Sequence, residues 1–201
     1  MACSDFVHLR AHSAYSLCEW AIPVKNLVKL TAAQDMPALG LCDTDNLFGA
    51  LEFSKAGEGA GVQPIIGCQL SITYADADDQ AQHGNSRSQF DEGAVAILVQ
   101  DDAGYRNLLT LLKIAYMDSG DTHKPVITLS DLCAYSAGLI LLTGGADGAL
   151  GRLLRMNDAA KATTFLVKLS DSFGNRLYME IQRHGMPEER QTEPQFLDLA
   201  Y

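Results

Sequence analysis

The sequence predicts an α/β fold built on a parallel sheet, either open or closed into a barrel. Three observations carry that expectation. Short apolar runs alternate with stretches whose apolar residues recur at helical spacing. Polar clusters fall directly after the apolar runs, where parallel α/β folds place their chemistry. Finally, 201 residues of which 47% are hydrophobic can bury one substantial core, so a single domain over residues 1–201 is expected.

Residues 6–9 read as a short opening strand. Val24, Leu27, Val28, Thr31 and Ala32 then share one face, Pro23 suits a first helical turn, and the run ends near Asp35, Met36 and Pro37. Residues 38–42 form a buried-strand pattern closed by the polar cluster 43–46. A helix follows over 47–56, with Asp45 or Asn46 as its cap, and a strand over 64–73. Residues 75–93, rich in Asp, Gln, Ser and Gly, read as a solvated loop. A fourth strand at 94–100 precedes a helix whose stripe is Tyr105, Leu108, Leu109, Leu112 and Tyr116. Residues 139–143 form a fifth strand, 159–169 a helix and 177–182 a sixth strand. Residues 194–201 begin an apolar helical face through Phe196, Leu197, Leu199 and Ala200, and the break there suggests that the natural chain continues.

Charge excludes one class of function. With a net charge of −10 and a pI near 4.8, the whole-molecule field repels a phosphate backbone, which argues against a free-standing nucleic-acid binder. The five cysteines, Cys3, Cys18, Cys42, Cys68 and Cys133, are scattered and never form a CxxC pair. That pattern fits neither a disulfide framework nor a thiolate zinc site, and it reads as cytoplasmic. No signal-peptide core and no apolar run of the ~20 residues needed to span a bilayer is present, so no membrane partner is expected.

The loops after the strands are the places to look for chemistry. They carry His8, Arg10, His12 and Ser13; then Asp43, Thr44, Asp45 and Asn46; then Cys68 and Gln69; then Gly144-Gly145-Ala146-Asp147-Gly148; then Gln182, Arg183 and His184. At these residues the chain resembles the N-terminal PHP (polymerase and histidinol phosphatase) domain of bacterial replicative, C-family DNA polymerase III alpha subunits. The resemblance runs from Phe6 to Tyr201. It is carried by His12-Ser13 with Tyr15-Ser16-Leu17, by Met36-Pro37-Ala38-Leu39 through Asp43 with Asn46-Leu47-Phe48-Gly49-Ala50, and by Gly61-Val62-Gln63-Pro64-Ile65-Ile66-Gly67-Cys68. Gly104-Tyr105-Arg106-Asn107-Leu108 and Leu177-Tyr178-Met179-Glu180-Ile181-Gln182-Arg183-His184-Gly185 complete it.

The resemblance implies a distorted, PHP-type (β/α)7 barrel resembling a TIM barrel, here lacking its last strand. Metal-bearing members hold divalent cations at the strand ends and activate water against a phosphodiester. This sequence departs from their pattern. The opening His-x-His is Arg10-Ala11-His12, the Asp-His of the second motif is Asp43-Thr44, and Gln69, Ala94 and Gly145 stand where ligands are expected. The residual metal positions are His12, Glu19, Asp43 and His184, with Arg10 replacing a ligand by a permanently charged guanidinium, expected to pair with Asp43 or Glu19. No catalytic or cofactor-binding residue is assigned to the segment. Residual zinc or manganese in the pocket is the only cofactor question here; magnesium belongs to the polymerase part of such a parent.

The implied parent performs template-directed DNA synthesis. Its partners are a proofreading exonuclease subunit and the rest of the polymerase, with DNA, sliding clamp and clamp loader contacted through palm, fingers and clamp-binding domains absent from this chain. The segment itself reads as a structural and docking module; the alternative is a free-standing, histidinol-phosphatase-like phosphoesterase. Each feature also has a plainer reading. His12 and His184 can be structural strand-end residues, Glu180 near His184 an ordinary polar group, and the glycine-rich turn a tight turn instead of a phosphate cradle, since neither GxxxxGK[ST] nor GxGxxG is present. Asp76, Asp78 and Asp79 read as a solvated run, and His83 and His123 as loop residues.

Overall fold

The computed structural model describes residues 6–73, 92–117 and 124–201. Among them the elements run β1 (His8–Ala11), α1 (Val24–Ala33), β2 (Ala38–Thr44), α2 (Ala50–Ala60), β3 (Gln63–Thr73) and β4 (Glu92–Val99). Then come α3 (Asp102–Met117), β5 (Ile127–Thr128), α4 (Leu129–Ala134), β6 (Leu139–Leu142), α5 (Ala149–Arg155), α6 (Ala159–Phe173), β7 (Leu177–Tyr178) and α7 (Pro187–Ala200).

The strands join one sheet in the order β1-β2-β3-β4-β6-β7, with β5 lengthening it beside the end of β3. β1, β2 and β3 are mutually parallel, and so are β6 and β7. The expected all-parallel sheet is corrected at β4, which runs antiparallel to both β3 and β6. The physical reason lies in the connection. Antiparallel neighbours need no crossover helix between them, and the stretch before β4 reads in the sequence as a polar loop. That stretch, including Asp76, Asp78, Asp79 and His83, lies outside the described residues, as does His123.

Alternation along the strands divides the core. Leu70 and Ile72 of β3, Val95 and Ile97 of β4, and Leu139 and Leu141 of β6 face one side, under Leu108 and Leu111 of α3 and Phe165 of α6. A second cluster, Leu39 and Leu41 of β2 with Phe53 of α2 and Val24 and Val28 of α1, continues that helix-covered layer. The opposite face is narrower: Cys42, Ala96, Leu98 and Leu142 form a small cluster of their own. Although β1 and β7 end the sheet at opposite sides, a side chain from β1 bonds a residue just past β7 across this narrow face. The sheet is therefore curled into an open half-barrel, with the narrow face as its lumen.

Several boundaries differ from the expected ones. β1 begins two residues later than the expected strand, and the α2 cap is Gly49, without a capping side chain. Asn46 instead fixes the preceding turn, accepting from Phe48 N at 3.1 Å and donating to Thr44 O at 2.8 Å. The sixth expected strand, 177–182, shrinks to β7, because Glu180 N turns away to the Thr143 hydroxyl at 2.9 Å instead of continuing the ladder. The last helix starts at Pro187, well before 194, and carries Pro194 inside it. Three short elements escaped sequence reading: β5, α4 and α5. Only α4 left a signal, the Thr128/Asp131 capping box.

One close approach fixes how α3 meets β6. A Cβ at Gly104, in the first turn of α3, would lie 1.8 Å from the Gly138 carbonyl oxygen. Gly104→Ala is expected to force these backbones apart and to cost about 1–3 kcal/mol or more, measured by urea denaturation.

Candidate functional site

The strand ends converge around Arg10. From β1 its guanidinium crosses the lumen: Nη1 donates to Glu180 Oε1 at 2.7 Å, Nε donates to Gln69 Oε1 at 3.2 Å, and Nη2 donates to the same oxygen. Glu180 is held in turn. Its Oε1 accepts from Gln182 Nε2 at 2.7 Å and its Oε2 from Gly144 N at 3.2 Å. Both partners of the ion pair are largely shielded, with side chains 18% and 15% exposed. Arg10 was expected to pair with Asp43 or Glu19; its partner is Glu180, the carboxylate that the curl of the sheet delivers.

Asp43 is occupied differently. Its Oδ1 accepts from Ser13 N and from Ser16 Oγ, both at 2.7 Å, and its Oδ2 from Ser13 Oγ at 2.8 Å. Asp43 and both serines are buried. The serine oxygens are used twice, since Ser13 Oγ accepts from Tyr15 N and Ser16 Oγ from Thr44 N, each at 3.1 Å. The start of the loop after β1, from Ser13 to Ser16, is thus anchored on one carboxylate. In the sequence Ser13 and Ser16 figure only in the loop after the first strand and in the motifs that carry the resemblance, with no role assigned, although small hydroxyl residues beside a buried aspartate are suited to such turns.

His12 lies beside this cage. Its Nδ1 is 3.4 Å from Ser16 Oγ, and its ring stacks on Trp20 with 5.5 Å between centroids and 5° between planes. Ser16 has one hydroxyl proton and gives it to Asp43, so His12 Nδ1 is the donor in this contact. Burial, reinforced by the Arg10 charge, holds the imidazole below its ordinary value; Asp43, Glu19 and Glu180 offset only part of that. Glu19 Oε2 accepts from the Thr44 hydroxyl at 2.7 Å.

His184 is recruited elsewhere. Its Nδ1 meets Glu189 Oε1 of α7 at 2.8 Å, while Glu189 Oε2 accepts from the backbone N–H groups of His184, Gly185 and Met186. Burial pushes the Glu189 carboxyl up, but the His184 ring and these amides outweigh it and leave it below the ordinary range. The structure therefore brings His12 and Asp43 together through Ser16, sets Glu19 beyond Thr44, and ties His184 to a helix N-terminus. Among the described residues, no group of three His, Cys, Asp or Glu side chains stands ready to hold a metal.

The glycine-rich turn has a structural explanation. Gly144 and Gly145 are left-handed, at φ 85° and 66°. A Cβ on Gly144 would lie 2.4 Å from Ala94 O, and its N–H already serves Glu180. The buried Cys42 thiol is pushed up to about 12 by burial first, and so is inert as a nucleophile.

Asp45, seen in the sequence only as a possible cap, is the strained member of the cluster. It sits at φ 57°, its Oδ1 is buried without a hydrogen-bond partner, and burial pushes its carboxyl to about 6 against the pull of Lys124 and the Ser71 amide. A folded value raised above the unfolded one contributes stability that is present in acid and lost as pH rises through about 6. Wild type is therefore expected to gain stability relative to Asp45→Asn as pH falls from about 7 to 5, read from paired thermal melts. Asp43→Asn, which replaces an acceptor by a donor facing Ser13 and Ser16, is expected to cost about 2–4 kcal/mol in denaturant unfolding.

Comparison with known proteins matches this geometry to a family. The PHP domain model matches residues 8–184. DNA polymerase III subunit alpha of Caulobacter vibrioides is 41% identical over 196 residues, which are 98% of this chain and 17% of that protein. The Escherichia coli subunit of the same name is 33% identical over 195 residues, covering 97% of this chain and 16% of its own length. The chain thus spans about a sixth of these relatives. Among solved structures, one from Bifidobacterium adolescentis described as a metal-dependent phosphoesterase superposes with a TM-score of 0.55 at 14% identity, covering 96% of this chain and 82% of that one. Likeness at that identity concerns the fold, and it agrees with the curled half-barrel sheet. By its matched sequence and its curled sheet, the chain belongs to the PHP domain family.

Proposed function

We propose that this chain is the PHP segment of a bacterial DNA polymerase III alpha subunit and that it serves the polymerase as a structural and docking module. The relatives of that name, matched over nearly the whole chain, support the parentage. The Arg10–Glu180–Gln69 network is the observation that carries the scaffold role. A fixed cation fills the lumen where metal-bearing members need ligands, and Asp43 spends its carboxylate on three donors. These residues do not fit a divalent-metal cluster, so no step of phosphodiester hydrolysis is derived from them.

In this reading the parent synthesises DNA in the cytoplasm, with magnesium held in its palm. DNA, the sliding clamp and the clamp loader are contacted by the parent's other domains. The PHP segment packs against the polymerase and receives the proofreading exonuclease subunit. No helix among the described residues is long and apolar enough to cross a membrane. A free-standing phosphoesterase finds support only in the shared fold.

Elemental analysis of the chain purified without chelators is expected to find far less than one zinc, manganese or iron per molecule. Reloading with manganese or zinc is expected to yield no exonuclease activity. Near-stoichiometric metal, with nuclease activity abolished by His12→Ala, would overturn the scaffold reading.

A further inference from the structure

Beside the Arg10 pocket, the loop after β1 and the N-terminal end of α2 present an apolar surface that the described residues leave uncovered. Phe48 is 70% exposed, Leu51 68% and Leu17 75%. Exposed single apolar residues are ordinary; a fixed cluster of them is not. Here the geometry is fixed. The Tyr15 ring meets Phe48 edge-on at 6.5 Å between centroids, and the Tyr15 hydroxyl donates to Glu52 Oε2 at 3.3 Å, one residue after Leu51. On the same loop, Trp20 is 53% exposed and is held by its stack on His12. The loop is closed at its ends by Ala14 N donating to Ile22 O at 2.9 Å and anchored below by Asp43.

The charges on this surface identify what it fits. Glu52 and Glu19 stand beside the apolar residues, and among the described residues neither forms a salt bridge. Glu52 is oriented by Tyr15 and Glu19 by Thr44. The chain as a whole carries −10, so its field favours a basic visitor. An exposed aromatic face beside a held carboxylate suits a guanidinium or ammonium that stacks and pairs at once.

We propose that this surface, centred on Phe48, Leu51, Tyr15 and Glu52, is a docking site for a partner protein segment that presents apolar side chains flanked by arginine or lysine. The inference rests on the docking role proposed above and adds where on the domain the partner sits and what chemistry it brings. Tyr15, Phe48 and Glu52 are already held by intramolecular contacts. Low ordering cost favours binding by such preformed groups.

The test uses Trp20, the single tryptophan of the chain, as reporter. A synthetic amphipathic peptide with leucines on one face and arginines beside them is titrated in, alongside one with glutamates for the arginines and one with serines for the leucines. The leucine–arginine peptide is expected to shift Trp20 emission to the blue and to saturate, and the two controls are not. Phe48→Ser is expected to weaken binding about tenfold or more, and Glu52→Gln about two- to fivefold. Both positions are at the surface, and circular dichroism confirms that the variants remain folded. No shift with any peptide, equal shifts with arginine and glutamate peptides, or wild-type affinity in Phe48→Ser would overturn the proposal. Capture of the proofreading subunit by the wild-type chain is measured separately. Capture that survives Phe48→Ser keeps the docking role and removes it from this surface. Wild-type failure to capture, with the peptide still bound, removes that subunit as the partner and leaves the surface.

Discussion

A guanidinium placed inside the curl of the sheet is the constraint on which the rest of this domain is arranged. Arg10 cannot shed its charge, so folding must surround it with acceptors or lose several kcal/mol to an unpaired buried ion. Glu180 and Gln69 supply them, one from beyond the last strand of the sheet and one from β3. This cross-lumen link joins two edges that have no backbone pairing to each other. It also explains why β7 is short. Glu180 must turn inward to reach Arg10, and the Thr143 hydroxyl and Gly144 amide hold it there.

Asp43 organises the other half of the pocket by similar means but with neutral donors. Three hydrogen bonds from Ser13 and Ser16 satisfy the carboxylate without a cation, and the same serines bind the backbone of Tyr15 and Thr44. The loop after β1 is consequently rigid where it enters and leaves the pocket. Rigidity there is transmitted outward to Tyr15 and to the His12–Trp20 stack, which fixes the exposed aromatic groups next to α2. The interior polar network and the outer apolar surface are two sides of one loop.

Asp45 shows the cost of this arrangement. It follows β2 in a left-handed conformation that glycine adopts with less strain, and its carboxylate is partly buried with one oxygen unpartnered. Tyr116 of α3 donates to its carbonyl oxygen at 2.9 Å, tying the strand end to the neighbouring helix. Cys18 and Asp45 place left-handed backbone in the loops after β1 and β2, while the helix-covered layer of Leu70, Ile97, Leu108, Leu139 and Phe165 is apolar.

By itself the sequence determined the layers and the place of the chemistry. The helical stripe of residues 24–32 and the apolar runs of β2, β3, β4 and β6 are local patterns, because side-chain periodicity is set by the backbone and needs no tertiary partner. The residues after those runs supply most of the pocket, and that Arg10, Gln69 and Gly145 stand where ligands are expected is what the family resemblance implies. Direction and pairing were not legible. Whether β4 runs with or against β3 depends on where a connection returns, and both directions bury Val95 and Ile97 equally well. The choice of Glu180 over Asp43 or Glu19 as the partner of Arg10 was decided only by the curl of the sheet. Long-range electrostatic pairing follows distance in space, and 170 residues of sequence separation carry no trace of it.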